Sequence, residues 1–593
     1  MTAQQLAPAR TAPAATSRTA AFLRSSTAGL AVLALLIGVG AGLGAVAFRW
    51  LITTFTGLLS GHADYSRAGH AGNPHVPFLG HWFVLLAPVA AGLLYGPLVQ
   101  RFAREARGHG VPEVMYAVAR RGGRIAPQVA AVKALASALC IGGGGSVGRE
   151  GPIVQIGSAL GSSLGQLVRL SESRMRVLVA CGAAGGIAAT FNAPLAGVFF
   201  AMELILRDFA AESFGMVVLS SVTASVIGRS VFGDTPFISL PAFHVQHLAQ
   251  YALFALLGVL AGALGVGFGK VLYRIEDACD AVWRGPEWAR PAVGGLLLGL
   301  LLLVLPEMYG VGYPVLEHAL DGGYAIAFLL ALMAGKMVAT SLTIGIGGSG
   351  GVFAPSLFVG AVFGSAFGQA AHQLLPGLAG SPEAFGIVGM GAVFAGAARA
   401  PITAVVILFE LTGEYGIILP LMAAIVLATM VSRVLGRETI YTAKLRRRGI
   451  DLDAPVDPAA ALTVAQAMTP PPPALPVTAR LREARGSLPP DRHGLLALAD
   501  EDGRHRGVVR VRELLHALAD GAEPATPVGE FADEQHPVAD PATPLAAARD
   551  LLGEHGRDGL PVLDQADGGG RLVGWLDHRD LLHALHRPRP AED

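Results

Sequence analysis

From about Thr27 to Leu435, apolar runs follow one another with short breaks: 27–59, 82–99, 214–233, 251–272, 291–306, 323–346 and 416–435. A helix of about 20 apolar residues crosses the hydrocarbon of a bilayer, and several of these runs reach that length. Others are interrupted by Gly and Pro, which lipid tolerates only where the freed backbone is buried in protein or lines a cavity. The pattern changes after "KLRRRGI" (444–450): long apolar runs stop, charge rises, and "TPPPPALP" (469–476) marks a linker or domain entry. Two short strand candidates, "GLLALAD" (494–500) and "GLPVLD" (559–564), precede "GVVRVRELLHAL" (507–518) and "GWLDHRDLLHAL" (574–585). The two longer stretches share seven of twelve residues at an offset of 67, so a strand-turn-strand-helix unit is used twice. The expected architecture is a polytopic α-helical membrane protein with a soluble α/β tail.

Composition agrees. The 593 residues are 15% charged with a mean hydropathy of +0.52, against roughly 25% charged for an ordinary soluble domain. Formal net charge is zero, so no nucleic-acid partner is implied. Cys140, Cys181 and Cys279 are scattered, which offers neither a disulfide framework nor a metal site. Residues 1–26 read as a disordered arm and not a signal peptide, because the next apolar stretch has no cleavage-like break. The segment 101–124 carries six arginines and 232–248 carries no Lys or Arg, which makes the first cytoplasmic and the second external. "RRR" (446–448) beside the last apolar run puts the tail in the cytoplasm too. The expected divisions are a membrane domain over 27–445, with halves of about 27–235 and 250–440, and a linker over 446–462. The tail units then cover 463–522 and 524–587, with an end segment over 588–593.

The membrane part is itself duplicated. At an offset of 203, "KALASALCIGGGGSVGREGPIVQIG" (133–157) matches "KMVATSLTIGIGGSGGVFAPSLFVG" (336–360) at eleven of 25 positions. "GHGVP" (108–112) answers "GVGYP" (310–314), and "APLAGVFFAMEL" (193–204) answers "APITAVVILFEL" (400–411). Paired Gly/Pro-interrupted segments at matching places in two halves point to a transport site. A helix that starts inside the membrane leaves its first N–H groups unpaired and carries roughly half a positive charge at that end. Such ends bind an anion without a buried lysine, with Gly giving close approach and Pro starting the helix. "GGGGSVGREGP" (142–152) adds a bare acid, Glu150, where a carboxylate costs at least a few kcal/mol.

"GHGVP", "GREGP" (148–152), "GVFAP" (351–355) and Tyr441 in "ETIYTAKL" together resemble the CLC family of chloride channels and proton–chloride exchangers. The tail from "VAQAMTP" (464–470) onward resembles a pair of CBS domains. The resemblance implies an inverted repeat of about 18 membrane helices, many broken, in a homodimer with one anion pathway per subunit. Its partners would be chloride and similar small anions and the lipid bilayer. Position by position, it makes Glu150 the external gate, whose carboxylate occupies an anion site and leaves on protonation. It makes the amides of Val352 and Phe353 and the hydroxyl of Tyr441 the holders of the central chloride. Amides around Arg149 to Gly151 would line the outer site, and His109 with Gly110 would also belong to the anion-binding set, His109 standing where the family's serine hydroxyl helps hold chloride.

Two positions depart from the family. The usual serine of the first motif is His109, whose charge depends on pH. The exchangers carry two adjacent glutamates after "FNAPLAG", the second relaying protons; here Glu203 is followed by Leu204. Leucine carries no proton, which leaves Glu203, His109 or water as substitutes and leans the reading toward channel-like or weakly coupled chloride movement. A proton-coupled antiporter is the alternative. The recurrence of Glu203 at Glu410 also suits helix packing or capping for both. In the tail, Asp580 stands where an acid grips ribose hydroxyls, but Asp577 replaces the common Ser or Thr. An adenine nucleotide there competes with a purely structural platform, and no cofactor or metal is required. No enzymatic activity is expected. An intramembrane serine protease, suggested by "GGSGG" (347–351), would need a histidine within reach of the serine. His244, His247, His318 and His372 do not lie within long apolar runs.

Overall fold

The computed structural model describes residues 21–234, 247–378, 380–452, 459, 462–486, 494–554, 559–564 and 570–586. It divides into two units, 1–452 and 453–593. Eight helices among the described residues are long and apolar enough to cross a membrane.

The first half runs α1 (Thr27–Ser60), α2 (Phe83–Phe102), α3 (Val111–Arg120) and α4 (Gln128–Gly142). It continues through α5 (Glu150–Val168), α6 (Glu172–Phe191), α7 (Pro194–Phe200, prolonged by a π-turn to Leu206) and α8 (Ala211–Phe232). The second half repeats the order: α9 (Ala249–Val282), α10 (Arg290–Val304), α11 (Tyr313–Leu320) and α12 (Ile326–Gly345). Then follow α13 (Phe353–Leu374), α14 (Pro382–Ala398), α15 (Pro401–Thr412) and α16 (Ile418–Leu435), before a short α17 (Thr442–Arg446). The duplication read from sequence is thus matched helix for helix; even α1 and α9 are both 34 residues long.

Glycine decides the packing at the centre of each half. A Cβ on Gly157 of α5 would fall 2.1 Å from the Gly182 carbonyl of α6, and one on Gly360 of α13 would fall 2.4 Å from the Gly389 carbonyl of α14. In lipid there is little hydrophobic drive between helices, so backbone approach of this kind supplies the contact. The halves are also tied by a reciprocal exchange. Glu203 accepts from the Thr403 amide and hydroxyl (2.8 and 2.7 Å) and the Ile402 amide (3.2 Å), capping α15. Glu410 accepts from the Leu195 and Ala196 amides (2.9 and 2.7 Å), capping α7. Each carboxylate satisfies N–H groups orphaned at the start of the other half's helix. Glu203→Ala and Glu410→Ala should each cost about 1–2 kcal/mol, seen as lower melting temperatures of the purified protein; a variant that melts with wild type would refute the capping role.

Two expected boundaries move. Residues 21–25 are helical, where an unstructured arm was expected over 1–26. Arg24 donates to the Val168 carbonyl at 2.7 Å, and Arg174 donates to the carbonyls of Ser25 (2.7 Å) and Ser26 (3.0 Å). Residues 1–20 lie outside the described ones. The start of the expected linker also belongs to the membrane unit. Ile450 and Leu452 pack on its core, and Arg446 donates to Asp451 at 2.9 Å. The segment 453–458 and the end segment 588–593 are outside the described residues.

The tail unit contains the two expected strand-strand-helix repeats. β2 (Leu495–Ala499) and β3 (His505–Arg510) pair antiparallel, with β1 (Leu475–Pro476) parallel on the free edge of β2, and α20 (Val511–Ala519) follows. α18 (Val464–Ala467) precedes β1, and α19 (Leu481–Gly486) lies between β1 and β2. In the second copy α21 (Leu545–Glu554) leads to β4 (Gly559–Asp564) and β5 (Arg571–Asp577), antiparallel, and α22 (His578–His586) closes the unit. Burial, and then the nearby His536, push His505 down to about 4. The folded value is below the unfolded one of about 6.5, so stability is full above pH 6.5 and falls as the pH drops toward 4. Melting of the full chain should show this loss, and His505→Phe should flatten it; an unchanged profile in the variant would exclude His505.

Candidate functional site

Four helices of the membrane unit start directly after the glycine motifs: α3 after "GHG", α5 after "GR", α11 after "GVG" and α13 after "GV". Their starts converge. Gly148 and Gly351 exchange both backbone hydrogen bonds (2.8 and 2.7 Å), joining the approaches to α5 and α13. Gly108 accepts from the Gly350 amide and donates to the Gly348 carbonyl, which brings the approach to α3 alongside. A Cβ on Gly151 would lie 2.0 Å from the His109 carbonyl, and one on Gly110 2.6 Å from the Gly151 carbonyl. Only glycine permits this approach.

Glu150 lies at the meeting point, 1% exposed. Its Oε1 accepts from the Tyr313 hydroxyl at 2.6 Å, and its Oε2 accepts from the Ala354 amide at 3.3 Å. The acid of one half therefore sits on the helix start of the other. Arg149 does not pair with it: its guanidinium lies over the rings of Tyr313 (5.1 Å) and Phe191 (6.0 Å). A Cβ on Gly148 would fall 2.1 Å from Oε2, so glycine there makes room for the folded-back carboxylate.

Val352 and Phe353 open α13, where their amides precede the first intrahelical acceptor. The Phe353 ring is pinned by Phe394, Phe191 and Phe200 at centroid distances of 4.5, 5.8 and 6.3 Å. Tyr441 is 1% exposed, and the Tyr273 hydroxyl donates to the carbonyl of the preceding Ile440 at 2.7 Å. His109 is also buried, so it does not face open water as a plain helix-start residue would. Neither of its ring nitrogens has a hydrogen-bond partner among the described residues, and its ring lies 6.3 Å from that of Tyr273. Leu204 is buried, and Glu203 is engaged in the cap described above. Ser349, the serine of the protease reading, donates to the Ala106 carbonyl (2.7 Å) and meets Ser137 (2.9 Å), with no imidazole among its bonds.

Three groups that hold this site were not singled out from sequence. Tyr313 anchors Glu150; its signal was the Tyr beside Pro in "GVGYP". Lys133 donates to the carbonyls of Ala106 (2.9 Å) and Gly108 (2.8 Å). Lys336 donates to those of Val311 (2.8 Å) and Gly310 (3.2 Å) and to Ser146 (2.9 Å). Both lysines are fully buried and occupy equivalent positions in the repeat, each holding the loop before a broken helix. A lysine recurring inside two apolar runs was the available signal. In the tail, Asp580 accepts from the Thr469 hydroxyl (3.2 Å) and the Asp577 amide (3.3 Å), and its own amide donates to Asp577 (2.6 Å).

Comparison with known proteins places this arrangement. The family described as voltage gated chloride channel matches residues 91–433, and the CBS domain family matches 464–520 and 528–587. The chain belongs to the CLC family. The H(+)/Cl(-) exchange transporter ClcA of Vibrio parahaemolyticus is 38% identical over 374 residues, 61% of this chain and 79% of the relative. A ClcB-like protein of Ralstonia nicotianae, named as a chloride channel protein, is 34% identical over 420 residues, 70% of this chain and 96% of the relative. A slow cyanobacterial Cl-/H+ antiporter superposes with a TM-score of 0.64 at 27% identity, covering 71% of this chain and 97% of the antiporter. This CLC chain is a multi-pass membrane protein of chloride transport with a pair of CBS repeats.

Proposed function

We propose that chloride crosses through the junction of α3, α5, α11 and α13, gated by the Glu150 carboxylate, with weak proton coupling. The carrying observation is the seat of that carboxylate between the Tyr313 hydroxyl and the Ala354 amide. An anion held at a helix start is replaced only by another anion or released by protonation, so chloride and a proton both compete for this place. The amides of Val352 and Phe353 and the Tyr441 hydroxyl hold the central ion in this reading, and Gly110, His109 and Arg149 to Gly151 border its approaches. Leu204 breaks the inner proton route, and the caps made by Glu203 and the burial of His109 leave neither as an open cytoplasmic relay.

Tight proton–chloride exchange is the second reading, favoured by the exchanger and antiporter names of the Vibrio and cyanobacterial relatives. Purified protein in vesicles under an imposed chloride gradient separates the two. Weak coupling predicts little uphill proton movement; robust proton pumping overturns it, and loss of that pumping in His109→Ser would assign the relay to the histidine. The family resemblance further supports a homodimer in the cell membrane with both termini cytoplasmic. Protease should cut the tail only after permeabilisation of cells, and cutting from outside would refute that topology. For the tail we favour a structural platform over an adenine-nucleotide site, because the Asp580 carboxylate already serves Thr469 and Asp577. Calorimetric titration with ATP tests this: saturable binding lost in Asp580→Ala would restore the nucleotide.

A further inference from the structure

A cavity of about 410 Å³ lies where α9 and α16 give way to charged sequence, and Lys270, Arg274, Arg437, Arg446 and Arg447 line it. Two of these cations are already neutralised: Arg446 pairs with Glu438 and Asp451, and Arg447 with Asp277. Lys270, Arg274 and Arg437 have no ion-pair partner among the described residues. The remaining lining includes the uncharged Gly265, Val266 and Gly269 of α9, the helix that also carries Lys270 and Arg274, with Gly396 and Ala397. A Cβ on Gly269 would meet nothing within 4 Å, so the lining is open at that turn of α9, while Gly265 is packed against the Ala397 amide.

The depth of the cavity in the bilayer follows from sequence. From Ala249 to Gly269, α9 carries no Asp, Glu, Lys or Arg, and Lys270 is the first charge. At 1.5 Å per residue that stretch is roughly 30 Å long, the thickness of the hydrocarbon. α16 is likewise uncharged from Ile418 to Ser432, and Arg433 and Arg437 follow. The cations therefore stand at headgroup level, beside the open turn of α9 at Gly269. They share that side with Arg446–Arg448, which the positive-inside rule assigns to the cytoplasm.

We propose that this cavity binds a phosphate-bearing anion, its source being the headgroup of an acidic lipid in the cytoplasmic leaflet. Three unpaired cations attract a phosphate more strongly than chloride, because a phosphate offers several acceptor oxygens for Arg donors. The site adjoins the proposed anion path, which gives it a means of regulation and is the one part that rests on the function proposed above. Thr439 and Ile440 are part of its wall, the Ile440 amide donates to the Ala397 carbonyl at 2.9 Å, and Tyr441 follows directly. An occupant thus bears on the turn that sets the Tyr441 hydroxyl.

The test uses the full chain, purified in detergent and titrated with phosphatidic acid or phosphatidylcholine, with bound lipid counted by native mass spectrometry. Each interfacial Lys or Arg is worth about fivefold in affinity for an acidic surface. The triple variant Lys270→Gln, Arg274→Gln, Arg437→Gln should therefore lose phosphatidic acid binding by on the order of a hundredfold, with phosphatidylcholine unaffected. The charge-keeping variant Lys270→Arg, Arg274→Lys, Arg437→Lys should retain binding, which separates charge from a folding defect. Equal phosphatidic acid binding in wild type and the neutral triple variant would overturn the site. Inorganic phosphate that binds the full chain as tightly as phosphatidic acid does would overturn the lipid as its source. In vesicles, added phosphatidic acid should change chloride flux of the wild type and not of the neutral triple variant. Bound lipid without any change in flux would overturn the link to Tyr441 while leaving the site in place, and binding is readable even if no chloride is transported.

Discussion

Glu150→Gln should raise chloride flux at neutral pH by about tenfold and flatten its pH dependence; a tenfold change corresponds to about 1.4 kcal/mol. The amide keeps the length of the side chain, and its one carbonyl oxygen can still accept from Tyr313, whereas the NH2 in place of the second oxygen cannot accept from the Ala354 amide. In the proposed gating the variant loses the negative charge with which the carboxylate would compete against chloride at a positive helix start. In the wild type, flux should climb as the pH falls, because protonation removes that same charge; in the variant there is no proton to add. Gly148→Ala supplies an independent check without altering the acid. Its Cβ would fall 2.1 Å from Oε2, so the carboxylate must leave its seat, and the variant should resemble Glu150→Gln in rate. If Glu150→Gln conducts no faster than wild type at pH 7, Glu150 is not the gate, whatever its hydrogen bonds.

Lys133→Met should destabilise the membrane unit by about 3 kcal/mol or more. The ammonium is fully buried and bonds the carbonyls of Ala106 and Gly108, which the loop cannot turn toward water. Each buried acceptor left unsatisfied costs about 1–3 kcal/mol, and the relief of lysine desolvation offsets only part of this. The same loss is expected for Lys336→Met, whose partners are Ser146, Gly310 and Val311. A thermal melt of the purified variants measures it, with Val338→Ala, at a 41% exposed position of α12, as the control. Melting within a degree or two of the control would show that the loops hold themselves. Because each lysine fixes the approach to a broken helix, a properly folded remnant should also show weakened anion binding.

Sequence by itself determined the architecture of this protein, because its signals there are local or periodic. Apolar runs of bilayer length need no partner to be recognised, and the offset of 203 between "GREGP" and "GVFAP" exposes the duplication. The tail repeats likewise carry their own alternation of strand and helix. The same reading placed Glu150 at the start of a broken helix, since Gly and Pro flank it. It missed where that acid points. Nothing in the chain order links residue 150 to 313 or 354, and the hydrogen bonds that seat the carboxylate exist only because the two halves interlock. The same holds for Glu203 and Glu410, whose recurrence was visible but whose reciprocal capping spans some 200 residues of sequence. The extent of the N-terminal arm was misread because the carbonyls of Ser25 and Ser26 are held by Arg174, from another helix. His109 could be read as facing water because composition carries no burial; its neighbours Tyr273 and Gly151 come from distant segments. Long-range contacts of this kind depend on backbone approach at glycine, and that approach is decided by tertiary packing alone.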